Sequence, residues 1–121
     1  MTNPAASRQK GSAFEVAVMK YLRVNGFDVE RLRLAGRDDE GDIVVRDGAV
    51  TILELKATRR LDTAGGIREA MTEKVNYARH RGLNQDDVTG ALLWKVPGKG
   101  IGDALVILKL SEFFDIQDVK I

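Results

Sequence analysis

The 121-residue chain has no cysteine. That excludes a disulfide framework, a thiolate zinc site and a cysteine nucleophile, and it fits a reducing compartment without fixing one. No apolar run approaches the roughly 18 residues that span a bilayer. The opening residues, Met1 to Ser7, lack the charged and apolar regions of a signal peptide. These absences predict a soluble, cytoplasmic protein with no membrane partner. Internal repeats and low-complexity tracts are missing as well, so residues 1–7 read as a loose leader and 8–121 as a single domain. An excess of one charge sign is also absent: 19 Lys and Arg face 18 Asp and Glu, for a net +1. That balance argues against a simple polycationic nucleic-acid binder, although local basic patches escape such a count. With 44% hydrophobic and 31% charged residues, the composition is that of a globular domain with a packed core.

Hydrophobic periodicity supplies the coarse architecture. Phe14, Val18, Tyr21 and Leu22 recur at helical spacing over 12–25, with Gly26 where a C-cap belongs. Phe27, Val29, Leu32 and Leu34 alternate as a strand, with a slip between Val29 and Leu32 that suggests a bulge. The runs 43–45 and 50–53 flank Arg46-Asp47-Gly48 and read as a hairpin, apolar on both faces and therefore central in a sheet covered by helices. A second helix fits 67–81, with Ile67, Ala70, Met71, Val75 and Ala78 as its buried stripe. Strands follow at 91–96 and 104–108, and Ser111 is placed to cap a terminal helical turn carrying Phe113, Phe114 and Ile116. The order αβββαββα predicts one α/β domain around a mixed sheet of about five strands.

The chemistry concentrates at Gly41-Asp42 and Glu54-Leu55-Lys56. Charged groups within apolar central strands need compensation. A hard divalent cation such as Mg²⁺, held by one or two carboxylates, supplies it. Lys56, two residues beyond Glu54, shares its strand face and can orient a water or stabilise charge on a phosphate. A shared site requires Asp42 and Glu54 on one face. A two-residue turn would separate them. A three-residue loop, Arg46-Asp47-Gly48, would pair Val45 with Ala49 and make Glu54 the diagonal neighbour of Asp42, and that loop is the expectation. The competing reading is an ordinary cross-strand salt bridge on a half-exposed sheet.

Asp42 and Glu54-Leu55-Lys56 on a hairpin, preceded by a helix bearing Glu15, resemble the PD-(D/E)xK nuclease superfamily. Within it, Lys10-Gly11-Ser12-Ala13-Phe14-Glu15 followed by Asn25-Gly26-Phe27 is similar to archaeal-type Holliday junction resolvases, which also occur in viruses. The resemblance covers roughly residues 8–80. It implies a restriction-endonuclease-like fold and a homodimer that makes paired, symmetric nicks in four-way DNA junctions by metal-activated water attack on phosphodiesters. It also implies that Asp42, Glu54 and the Leu55 carbonyl bind Mg²⁺ (with Mn²⁺ as a substitute), that Lys56 is the catalytic lysine and that Glu15 assists the metal or its water. Three family features are missing. Gly41 stands where a proline is usual, which is tolerable if that proline only restrains the backbone. The loop at Leu34-Ala35-Gly36-Arg37 has no serine. Glu73 and Tyr77 occupy the place where related nucleases often carry a glutamine.

Other residues have competing readings. Ser12 to Glu15 is also a capping-box pattern, with Glu15 bonding back to the Ser12 amide. Arg8, Lys10, Arg31, Arg33, Arg37, Arg59 and Arg60 flank the acidic motif and are candidates for phosphate contacts; the ordinary reading of each is a solvated surface cation. His80 reads as a helix-end polar residue, Trp94 as core or interface, and Gly98 to Gly102 as a flexible connection without the setting of a nucleotide loop. Phe113, Phe114 and Ile116 read as core or as a dimer surface. Acid gathered at 38–42 and at Glu54, with basic flanks, favours DNA more than the net charge does. The alternatives are a restriction-like or repair endonuclease acting on duplex or mismatched DNA, and a non-catalytic DNA-binding module.

Overall fold

The computed structural model describes residues 4–32 and 39–117; for residues 4–10 it describes the backbone alone. The chain forms α1 (Pro4–Val24), β1 (Asp28–Arg31), β2 (Ile43–Asp47), β3 (Ala49–Lys56), α2 (Thr63–His80), β4 (Val88–Trp94), β5 (Leu105–Ile107) and α3 (Leu110–Phe113). This is the expected αβββαββα order. The five strands lie side by side in sequence order, antiparallel except for β3 and β4. That parallel pair needs a crossover, and α2 provides it. Among the described residues no helix is long and apolar enough to cross a membrane.

Each face of the sheet has its own core. Phe14 and Val18 of α1 pack with Val29, Ile43, Leu53, Ala91 and Leu93. On the other face Tyr77 and Ala78 of α2 pack with Val44, Ile52 and Val88. Alternate residues of β2 and β3 therefore serve opposite layers, which explains their continuous apolar runs. Burial of these side chains is the main stabilising term, at about 1.5–3 kcal/mol for each large aliphatic or aromatic group.

The departures from sequence expectation have physical causes. Helix α1 begins at Pro4, not near Ser12, and runs through most of the stretch read as a leader. Ser12 is thus inside the helix and cannot cap it. The helix ends as expected, with the Phe27 amide returning to the Leu22 carbonyl at 3.0 Å. There is no bulge between Val29 and Leu32: β1 pairs with β2 in unbroken register, continued by the Leu32 amide on the Asp42 carbonyl at 2.9 Å. The apparent slip arises because Val29 packs on the α1 side and Leu32 on the α2 side. In α2 the stripe is rotated from the expectation, so that Glu73, Asn76 and Tyr77 are buried while Val75 is 39% exposed. Strand β4 begins earlier than expected and ends at Trp94. Lys109, not Ser111, holds the cap position of α3. Within the glycine-rich connection Ile101 opens a single 3-10 turn and packs against the α1-side core. Phe113, Phe114 and Ile116, read as core or as a dimer surface, are all exposed.

The hairpin turn is also corrected. β2 and β3 pair Asp47 with Ala49, Arg46 with Val50 and Val45 with Thr51, so Gly48 alone separates the strands. Its φ of +74° is the left-handed conformation that glycine adopts without steric cost. The three-residue loop is therefore absent and the register is displaced by two residues. Displacement by an even number preserves side-chain parity, so the face assignment derived from the longer loop still holds.

Candidate active site

Continued by one residue, the β2–β3 register places Asp42 opposite Glu54. Asp42 is thus a direct cross-strand neighbour of Glu54, not the diagonal one expected. The contact between the strands includes the Asp42 amide on the Leu53 carbonyl at 3.1 Å and the Leu55 amide on Asp42 Oδ2 at 2.7 Å. Leu55 thus enters the site through its amide. Asp42, Glu54 and Lys56 have the parity of Val44 and Ile52, on the side facing α2.

Helix α2 adds two acids. Glu54, Glu69 and Glu73 each offer a carboxylate oxygen, and the three oxygens lie within 4.8 Å of one another. Glu54 and Glu73 are buried, and Glu73 Oε1 has no hydrogen-bond partner among the described residues. An open cleft of about 510 Å³ lies against Glu69 and Glu73. From α1, Glu15 reaches the same end of the sheet and is ion-paired with Arg31 at 2.5 Å.

Crowding of carboxylates at low solvent exposure governs their protonation. Burial, then hydrogen bonding to Asp42 and Glu73 and the charges of both, pushes the Glu54 carboxyl up to about 12. Burial also raises Glu73, to about 7, helped by the charges of Asp39, Asp42 and Glu69 and opposed by a hydrogen bond from Glu54. Glu15 is raised by burial and by the charge of Asp42, with Arg31 acting against both. Burial works against the Lys56 ammonium, but its hydrogen bond to Glu69 (3.0 Å) and the charges of Glu54, Glu69 and Asp42 outweigh this, and its pKa stands above the ordinary value. Burial and crowding thus favour protons on Glu54 and Glu73, in a place where a cation would serve the same purpose.

A second ionic group borders the first. Glu40, 2% exposed, meets His80 Nδ1 at 2.6 Å and the Arg81 guanidinium, which also lies 3.8 Å over the Tyr77 ring. Asn76 donates to the Asp39 carbonyl at 2.8 Å. Between the two groups Gly41 takes a φ of +102°, and a Cβ there would come within 2.6 Å of the Ile52 side chain. Proline, fixed near −65°, does not fit that conformation, so the glycine marks a different backbone path and not an indifferent replacement.

Of the sequence-predicted site residues, Glu15, Asp42, Glu54 and Lys56 converge. Arg59 and Arg60 are exposed just beyond β3, and Arg31 is engaged by Glu15. Arg33 and Arg37, and the side chains of Arg8 and Lys10, lie outside the described residues. Glu69 was not anticipated; its position two turns before Tyr77 on the sheet-facing side of α2 was the available signal, hidden by the misplaced stripe. The chain matches no protein-family model and no curated protein sequence.

Proposed function

We propose that the chain is a divalent-metal-dependent endonuclease acting on DNA. The observation that carries this reading is the pairing of Asp42 with Glu54 on one sheet face, beneath a buried Glu73 with an unpartnered oxygen and beside Lys56. The donor set is all oxygen, which suits a hard cation such as Mg²⁺ or Mn²⁺. Asp42, Glu54 and Glu73 would hold it, and the Leu55 carbonyl enters only through the resemblance to PD-(D/E)xK nucleases. When bound, such an ion makes an attacking water available near neutral pH and stabilises charge on a phosphodiester. Lys56 is positioned to orient that water or the phosphate. Glu69 holds the ammonium in place, and Glu15 presents a further carboxylate from α1. The resemblance directs the substrate toward four-way junctions, and two equivalent cuts would require two equivalent sites in a homodimer.

The test is incubation of the purified protein with synthetic four-way junction, flap and blunt duplex DNA, with and without Mg²⁺ or Mn²⁺. Paired symmetric nicks confined to the junction and lost in Asp42→Asn support the resolvase reading. Equal or better cutting of duplex transfers the activity to the restriction-like or repair class. Binding without cleavage in either metal leaves a DNA-binding module and defeats the nuclease proposal.

A further inference from the structure

Around the end of β3 from the carboxylates, a groove of about 880 Å³ opens on the α1 side of the sheet. Its floor is aliphatic, formed by Ala13 and Ala17 of α1, Ala57, Pro97 and Ile101. Arg59 and Lys95 stand in its wall, both exposed. These cations differ from several near the acidic centre, although Arg68, on the wall of the cleft beside Glu69, is likewise without an ion pair among the described residues. Lys56, Lys74, Arg31, Arg46 and Arg81 are all ion-paired, whereas neither Arg59 nor Lys95 makes an ion pair or a side-chain hydrogen bond among the described residues. The groove shares no lining residue with the acidic site and neighbours it along the chain. Phe14 precedes Glu15, and Ala57 follows Lys56, whose carbonyl accepts from the Lys95 amide at 2.9 Å.

We propose that this groove is a subsite for one unpaired DNA strand adjoining the carboxylate centre, with Arg59 and Lys95 holding its phosphates and the apolar floor receiving a sugar and base. The inference rests on the nuclease reading for its ligand class. Charge complementarity selects an anion, since two cations without carboxylate partners face the opening. The floor selects a single strand over a duplex, because a duplex hides its base faces and offers mainly phosphates to an aliphatic surface. An acidic peptide would satisfy the charges but not the placement, at the edge of a centre built to act on a phosphodiester.

Binding of labelled oligothymidine and of blunt duplex, measured by anisotropy in Ca²⁺ over a range of salt, tests the proposal. In R59A/K95A, oligothymidine affinity should fall about tenfold and the log–log salt slope by about 1.4, as expected for two single-strand phosphate contacts. Blunt duplex should lose distinctly less. The charge-conserving R59K/K95R should keep most of the affinity. Ala17→Phe, which fills the floor, should weaken oligothymidine binding with the salt slope unchanged. Mn²⁺-induced thermal stabilisation should be the same in R59A/K95A as in wild type. Oligothymidine binding that is unaltered in R59A/K95A, or losses equal on both DNA forms, would overturn the subsite. Failure of wild type to cut DNA defeats the nuclease reading separately, because strand binding is read without turnover.

Discussion

Two groups of buried glutamates lie within a few residues of each other and are satisfied in opposite ways. Glu40 is met by the His80 imidazole and the Arg81 guanidinium at the end of α2. Glu54 and Glu73, almost as deeply buried, are met by Asp42, by Glu69 and by one another. The same helix provides both environments. A buried carboxylate is costly unless paired, and the first group shows that the fold supplies partners where an acid is structural. Near the second group Lys56 is shared with the half-exposed Glu69, and Arg68 lines the same cleft without an ion pair to it among the described residues. An arrangement that keeps protons or recruits a metal is what the proposed metal site requires.

The largest effect should come from breaking the first group. Removing both partners in H80A/R81A strands Glu40 in the interior and should cost about 3 kcal/mol in urea unfolding. Adding Glu40→Gln to that variant should recover part of the loss. Gly41→Ala attacks the joint between the groups. A side chain forced into the left-handed region should cost about 1–3 kcal/mol, and the accompanying shift of Asp42 should reduce metal-dependent cleavage. Glu73→Gln should act in the opposite sense on the metal-free protein. Relieving like-charge crowding should stabilise it by about 1 kcal/mol at pH 8 while removing most of the thermal stabilisation by Mn²⁺. A stability loss in Glu73→Gln equal to that in H80A/R81A would erase the contrast.

The smallest and most diagnostic effect is on pH dependence. Glu73 and Glu54 bind protons more tightly when folded than when unfolded, because their folded pKa values are raised to about 7 and about 12. Their contribution to stability is complete below the ordinary value near 4.5 and declines as pH rises toward 7 and beyond. The metal-free melting temperature should therefore fall across that window, less steeply in Glu73→Gln. Divalent cations must displace those protons, so their stabilising effect should grow with pH. Melting curves at pH 5 and pH 8, with and without Mn²⁺, check both signs.

Much of this arrangement was legible in the sequence, and the exceptions are instructive. The order of elements followed from periodicity, and the common face of Asp42, Glu54 and Lys56 followed from strand parity. The length of the turn did not, because Asp47-Gly48 suits several hairpin geometries and only the pairing of both strands selects among them. Leu32 misled because a strand buried on both faces has no single apolar parity. The misplaced stripe of α2 had the largest consequence. Glu73 is buried and Val75 is half-exposed, the reverse of what hydrophobicity predicts, because the helix turns Glu73 toward Glu54 and away from solvent. Local sequence rules fail here at the place where the proposed site lies.

Trp94 carries a practical consequence. It is the chain's single tryptophan, it is the β4 register partner of Lys56, and its indole Nε1–H donates to the Thr58 carbonyl at 2.8 Å. The ring thus ties the end of β4 to the segment between Lys56 and Arg59. An intrinsic fluorophore is therefore mounted beside Lys56, on the strand next to the proposed site. If the proposed site binds a cation or DNA, its emission gives a readout in the unlabelled wild-type protein and on the timescale of a mixing experiment.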